Sequence, residues 1–465
     1  MTAHHADFRR IGRTLTAALL LLFRPGRAAG DEVGWTQSMK VGAQYHLEAK
    51  YIDAETVYLA ALKEAEHFPD KGLRLSISLN NLALLYHDQG RYGEAESLYL
   101  RALNLREQCL GPEHPEVALT VNNLADLYRA QALYIKSEPL YLRALAILEK
   151  VSGPIDPEVA RVLNNLAALR YAQGSYGEAE LLLKRALSIR DKLREGECPE
   201  VALSLNNLAE VYRTQGRYLE ARQLYQRSLT ILEKTSGPDH PDTAAALNNL
   251  ASLDVNQGRY REAEQLYGRT LTILERILGA EHPKVATGMD NLAALHYKQG
   301  HYSEATRLHQ RALDIREKAL GPEHPDVAST LNNLGSVYEK ERRYSEAEAL
   351  YKRALVIWEK VLGPEHRQLA AGLNNLAECY YRRGHYREAE ALLQRSLSIK
   401  EKAFGPNDPS VAETLKDYAA VLRKMKQKSE AATVEARAKT ICARCGPACQ
   451  TSQTVDVLAL RSAGR

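Results

Sequence analysis

The chain has 465 residues, with 62 Lys and Arg against 58 Asp and Glu. So even a balance supplies no excess of the kind that phosphate backbones or anionic membrane surfaces select, and it argues against nucleic acid as a partner. The 25 Tyr against 4 Phe and 2 Trp point to one template copied many times rather than to several unrelated domains.

Residues 1–30 differ in character from the rest of the chain. Arg9, Arg10 and Arg13 precede an apolar run from Leu15 to Phe23, and small residues come after it at Ala28, Ala29 and Gly30. This is the layout of a secretory signal or targeting peptide, and the run is shorter than the roughly 20 apolar residues needed to span a bilayer. The expected location is therefore outside the cytoplasm, periplasmic or extracellular, with a cytoplasmic protein as the alternative.

From residue 31 to residue 441 the chain repeats itself. Asn81, Asn123, Asn165, Asn207, Asn249, Asn291, Asn333 and Asn375 recur at a spacing of 42 residues, and Asp417 continues the series in a degraded last copy. A first copy, AKYIDAETVYLAAL, lies one residue out of frame, which makes ten units. Each unit divides into two predicted helices. In GPEHP, residues 111–115, Pro115 suits a first helical turn because its missing N–H would be unpaired there. Val117, Val121, Leu124 and Tyr128 then recur at helical spacing. The first helix of most copies ends at a glycine: Gly90, Gly174, Gly216, Gly258, Gly300 or Gly384. The second helix starts at once, with Tyr92, Ala95, Tyr99 and Ala102 marking one face. Short connections make the pair antiparallel, and one hairpin buries its apolar face only by stacking on its neighbours. Ser137 and Pro139 predict a looser or kinked second helix in the third copy. Lys426 and Lys428 replace the turn Gly and Tyr in the last copy, as befits a terminal unit facing water.

The order Leu82-Ala83, Tyr86, Gly90, Tyr92, Glu94-Ala95, Tyr99 and Ala102-Leu103 resembles the tetratricopeptide repeat. The longer 42-residue unit, with LNNLA in the first helix and GPEHP after the second, is similar to the repeats of kinesin light chain and of bacterial relatives. The resemblance implies an all-α fold, a right-handed superhelical solenoid of about ten helix hairpins. It also implies a non-enzymatic scaffold for protein–protein interaction, holding an extended peptide or a partner helix in its concave groove. The alternatives are an architectural, self-associating solenoid and a cargo adaptor of kinesin-light-chain type. Only about 37 residues precede the first unit, too few for the heptad coiled coil that joins kinesin light chains to the motor.

The paired amides are the candidate site. Burying an unpaired polar group costs about 1–3 kcal/mol, so each amide must be bonded within the solenoid or must face a ligand. By position, the resemblance nominates Asn80, Asn81, Asn122, Asn123, Asn164, Asn165, Asn206, Asn207, Asn248, Asn249, Asn291, Asn332, Asn333, Asn374 and Asn375 as groove residues able to hold a peptide main chain. The competing reading is that one member of each pair bridges neighbouring first helices as a polar seam. Selectivity would come from positions that vary between copies, among them Arg129, Tyr171, Arg213, Lys298, Tyr381 and Arg382.

Other features are expected to be structural. Arg101, Arg143, Arg185, Arg227, Arg269, Arg311, Arg353 and Arg395 form a ladder that Glu94, Glu178, Glu220 and their equivalents on the same helices should neutralise. His114, His240, His282, His324 and His366 precede a first helix, where Asp156 and Asp408 stand in other copies, and read as helix caps. The tail, residues 442–465, carries Cys442, Cys445 and Cys449. Three thiols without a fourth ligand make a weak metal signal, and in an exported chain a disulfide between two of them is the better reading. No phosphate loop, serine elbow or HExxH helix is present, so neither enzyme activity nor a cofactor is expected.

Overall fold

The computed structural model describes residues 31–68, 72–193 and 196–445. The leader-like segment therefore lies outside the described residues, as does most of the tail. The described residues form twenty α-helices, paired into ten units, and no strand. Units 1 to 5 comprise α1 (Asp31–Leu47) and α2 (Tyr51–Ala65), α3 (Leu73–Asp88) and α4 (Tyr92–Leu110), α5 (Pro115–Ala130) and α6 (Tyr134–Val151), α7 (Pro157–Ala172) and α8 (Tyr176–Lys192), α9 (Pro199–Thr214) and α10 (Tyr218–Thr235). Units 6 to 10 comprise α11 (Pro241–Asn256) and α12 (Tyr260–Leu278), α13 (Pro283–Gln299) and α14 (Tyr302–Leu320), α15 (Pro325–Lys340) and α16 (Tyr344–Leu362), α17 (Arg367–Arg383) and α18 (Tyr386–Phe404), α19 (Pro409–Lys424) and α20 (Lys428–Cys445). Each helix packs on its neighbours in sequence, which makes the molecule a solenoid.

Local chemistry sets the boundaries. His Nδ1 of His114, His240, His282, His324 and His366 accepts the backbone N–H two residues on, at 3.0–3.2 Å. Asp156 and Asp408 do the same at 2.8 Å through a carboxylate oxygen. The caps are thus as the sequence suggested. After the first helices, Gly90, Gly174, Gly216, Gly258, Gly300 and Gly384 all adopt positive φ, and Ala49, Ala132, Arg342 and Lys426 occupy the same turn at φ 55–66°. Between helices, Ala95, Tyr99 and Ala102 are fully buried, and so are their equivalents Ala347, Tyr351 and Ala354.

The structure bears on two further expectations. The second helix of unit 3 runs from Tyr134 to Val151 without a break at Pro139. Pro139 is exposed and stands in the second turn, where it removes one backbone bond, and the Ser137 hydroxyl donates to the Ala125 carbonyl at 2.7 Å, tying the helix to its partner. The arginine ladder is ion-paired, but one unit back rather than along its own helix. Arg143 meets Glu107 at 2.5 Å, Arg269 meets Glu233 at 2.8 Å and Arg395 meets Glu359 at 2.7 Å. Glu94, Glu220 and Glu346 instead pair with Arg91, Arg217 and Arg343, three residues before them. These pairs are largely exposed and contribute little each.

The superhelix also touches itself. His282 of unit 7 lies against the backbone of Leu47 in unit 1. His324 Nε2 of unit 8 donates to the Asp88 carbonyl of unit 2 at 3.2 Å, and His366 of unit 9 reaches the backbone of Ala130 in unit 3. Arg367 Nη1, also in unit 9, donates to the Ala172 carbonyl of unit 4 at 3.3 Å. The end of one first helix therefore meets the start of another five or six units later, so that many units complete one superhelical turn.

Candidate inner binding face

The paired amides fall within the first helices and build a ladder between units. Asn123 Nδ2 donates to Asn80 Oδ1 at 3.2 Å, and Asn165 Nδ2 to Asn122 Oδ1 at 3.0 Å. Asn291 bonds Asn248 at 2.7 Å and Asn375 bonds Asn332 at 2.9 Å in the same sense. Each rung joins the second amide of one unit to the first amide of the unit before. Within a pair the amides also meet, Asn80 with Asn81 and Asn122 with Asn123, at 3.5 Å. Both amide functions suit this, since each carries a donor and an acceptor.

The ladder is interrupted. Asn164 Nδ2 turns to the Ala160 carbonyl at 2.9 Å and to Ser204 Oγ at 3.0 Å, and Asn374 Nδ2 turns to Thr414 Oγ1 at 3.0 Å. The side-chain oxygens of Asn164, Asn206 and Asn374 and the Asn81 and Asn332 amide nitrogens are buried without a hydrogen-bond partner. Asn206, Asn207 and Asn333 are buried, while Asn249 is half-buried. At least one amide of most pairs thus does seam duty, and the rungs are missing between units 4 and 5, between units 5 and 6 and, where Asp290 replaces the first amide, between units 7 and 8.

The variable side chains stand beside this ladder. Glu210 is their hub in unit 5. It accepts Arg213 Nε at 2.8 Å, Tyr225 OH at 2.7 Å and, from unit 4, Tyr171 OH at 3.0 Å. Burial pushes the Tyr171 phenol above its usual range, and the Glu210 carboxylate pushes it further. Lys298 of unit 7 is half-buried, and burial followed by the like charge of Arg213 holds its ammonium below the usual range. In unit 3, Arg129 closes on Asp126 at 2.8 Å, with Tyr141 adding a bond at 3.1 Å.

A second cluster lies toward the other end. Arg382 Nε donates to Glu378 Oε1 at 2.5 Å, and Tyr381 packs edge-on against Tyr386 with centroids 5.7 Å apart. Asn374, Ala377, Glu378, Tyr381, Leu393, Asp417 and Val421 line a small hollow there. Nearby Glu339 is raised to about 7, by burial first and by Glu378 second. Tyr171, Arg213 and Lys298 thus share one neighbourhood, Tyr381 and Arg382 share another, and Arg129 stands in a third. The carboxylates that anchor them, Asp126, Glu210 and Glu378, belong to the same variable stripe of the first helices. An acid three or four residues before a base on one helix, as in Asp126 and Arg129, was the available signal.

Among the described residues no cluster of His, Cys, Asp and Glu is arranged to hold a metal ion, and no helix is long and apolar enough to cross a membrane. Cys442 is disulfide-bonded, and the side chains of Cys445 and Cys449 are outside the described set.

Stacked helical hairpins with a templated wall and a varied inner stripe define a repeat scaffold. The tetratricopeptide repeat profile matches residues 32–108, 74–134, 116–192, 200–276, 252–318, 304–355, 326–402 and 373–443, so the chain belongs to the tetratricopeptide repeat family. No curated protein sequence matches the chain. Among solved structures, a Podosopora anserina protein described as a kinesin light chain with nearly identical TPR-like repeats is 29% identical, with a TM-score of 0.38, over 44% of this chain and 96% of that one. BtubC (BKLC) from P. vanneervenii is 27% identical, with a TM-score of 0.39, over 51% of this chain and 92% of that one. A Rap protein complexed with Competence and Sporulation Factor aligns over 90% of this chain and 99% of that one, at 14% identity and a TM-score of 0.49. The family is one of protein-interaction scaffolds, generally without catalysis, and its fold implies protein partners.

Proposed function

We propose that the chain binds an extended segment of a partner protein along the inner face of the superhelix, chiefly across units 4 to 9. One observation carries this reading. His87, Arg129, Tyr171, Arg213, Val255, Tyr297, Glu339 and Tyr381 occupy the same place in successive first helices, yet the wall behind them is nearly invariant. A template copied for stability alone has no reason to diversify at one inner position; a surface that reads a partner does. The interrupted amide ladder over units 4 to 8 supports the same place, since Asn207, Asn249 and Asn333 there are not spent on rungs.

The test is selection of linear random-sequence peptides by display on the intact chain, followed by affinity measurement. Arg213→Ala with Lys298→Ala should weaken selected peptides by about tenfold or more, which corresponds to about 1.4 kcal/mol. Asn123→Ala should lower stability without changing affinity. Peptides that bind both inner-face variants as tightly as wild type would sink the proposal.

A further inference from the structure

Five of the ten first helices are capped by the same residue, but the five histidines do not share one environment. His282, His324 and His366 are 7%, 5% and 6% exposed, whereas the His240 side chain is 26% exposed and His114 is half-buried. The buried three are those that reach Leu47, Asp88 and Ala130 one superhelical turn away. In each ring Nδ1 already accepts the cap N–H, so the hydrogen must sit on Nε2, and in His324 that atom donates across the gap to the Asp88 carbonyl. The approach is close: a Cβ built on Gly90 would lie 3.0 Å from Pro325 Cδ and 3.2 Å from His324 Cδ2.

Turns in contact leave no open groove between them. Five to six first helices with axes about 10 Å apart make a ring about 50–60 Å around, or roughly 16–19 Å between opposite axes. Subtracting one helix diameter of about 10–12 Å leaves a bore of roughly 5–8 Å. Neither a second helix of about 10–12 Å nor an extended chain with its side chains fits the closed bore. The extended chain, about 4.8 Å across in its hydrogen-bonding direction and about 10 Å across its side chains, needs the smaller opening. A first helix of about 16 residues is roughly 24 Å long, so nearly two turns enclose a path of about 40–48 Å. At about 3.4 Å per residue, that path takes some 12–14 residues of extended chain.

We infer that the inner face is a closed bore, latched along one edge by His282, His324 and His366, and that its occupant is an extended protein segment admitted when the latch parts. This rests on the inner face being the binding surface, and it adds to the extended segment of that reading a length of about a dozen residues and a gated entry.

The variant that separates latch from cap is His282→Asp with His324→Asp and His366→Asp. Aspartate caps natively at Asp156 and Asp408, but an ionised carboxylate has no hydrogen to give a carbonyl. His114→Asp with His240→Asp is the control, changing the same cap where no turn is crossed. Small-angle scattering of the ligand-free full chain should show a longer maximum dimension for the triple variant and none for the control; equal dimensions in all three proteins would overturn the latch.

A display-selected linear peptide is then compared with the same peptide fused between two folded domains that block both ends. Wild type should take the blocked probe about tenfold or more slowly than the free one, and the triple variant should remove that difference. Equal rates in wild type would overturn the closed bore. Absence of any selectable peptide would instead defeat the inner face as a binding surface, and scattering would still judge the latch.

Discussion

Arg106 is 5% exposed inside unit 2, where Nη1 donates to Thr120 Oγ1 of unit 3 and to the Glu116 carbonyl, each at 2.8 Å. Fourteen residues separate cation from hydroxyl; the bond returns between Arg316 and Thr330 and between Lys400 and Thr414, and Arg190 and Ser204 stand at the same spacing. Other units place apolar residues at both positions: Leu148 with Val162, Leu232 with Ala246, Leu274 with Gly288 and Trp358 with Gly372. The last is steric, since a Cβ on Gly372 would stand 2.8 Å from Trp358 Cζ3. Two solutions to one interface thus recur along the chain, one polar and one apolar and filled. Thr120→Val should cost about 1.5–3 kcal/mol, because it strips a hydrogen bond from a buried cation. Arg106→Leu added to it should recover most of that loss, reproducing the Leu148 and Val162 pair. Native-state hydrogen exchange across Pro115–Ala130 reads both, and a double variant no better than the single would refute the pairing. The swap is written in the sequence, but only hairpin geometry shows that residues fourteen apart face each other.

The turn between first and second helix is an element that this chain builds in two ways. Gly90 and five other glycines take positive φ at no steric cost, whereas Ala132 and Arg342 hold φ of 55° and 63° with a side chain attached. Left-handed backbone costs an L-residue about 1–2 kcal/mol, and glycine gives back part of that through unfolded-state entropy. Ala132→Gly and Arg342→Gly should therefore each stabilise their units by about 0.5–1 kcal/mol, read as a higher urea midpoint. At the other end of the hairpin, Gly321 has φ 87° and ψ 156°, a region restricted to glycine, so Gly321→Ala should destabilise by about 1–3 kcal/mol. Helix boundaries were legible because proline, histidine caps and glycine each act within a few residues. The arginine ladder was legible as a set of cations, but not in its pairing. Which glutamate lies opposite Arg143 depends on the stagger between stacked units, and the stagger puts Glu107 there. The paired amides were likewise identified as either seam or hook, and only the rung from Asn123 to Asn80 shows which role one of them takes.

Closure of the superhelix belongs to the whole molecule, and no single unit encodes it. A small rotation repeated at every step brings unit 7 over unit 1, so the meeting of His282 with Leu47, residues 235 apart, has no trace in local pattern. Its energetics are nevertheless carried by titratable groups. Burial, reinforced by Lys284, lowers His282 to about 4, and burial, reinforced by Arg367, lowers His366 to about 3; the carbonyls across the seam oppose the shift. Asp326, 3.9 Å from His324, and Asp88, paired with His46, also face this edge. A histidine released to water recovers a pKa near 6.5, so the open form binds protons that the closed form refuses. The closed form is therefore fully favoured above about pH 6.5 and loses ground as pH falls toward about 4. At about pH 5 each of these two histidines would favour opening by about 2 kcal/mol. Glu339 titrates in the opposite sense. Its carboxyl is raised to about 7, so its contribution is lost as pH rises from about 4.5 to about 7, and Glu339→Gln removes it without touching the seam. Scattering at about pH 7.5 and about pH 5 should show reversible lengthening of wild type and of Glu339→Gln at the lower pH. The triple His→Asp variant should already be long at both. If wild type keeps one length across that range, the three histidines do not hold the turns together, and the bore stays closed by the remaining contacts of Arg367 with Ala172 and Gly90 with Pro325.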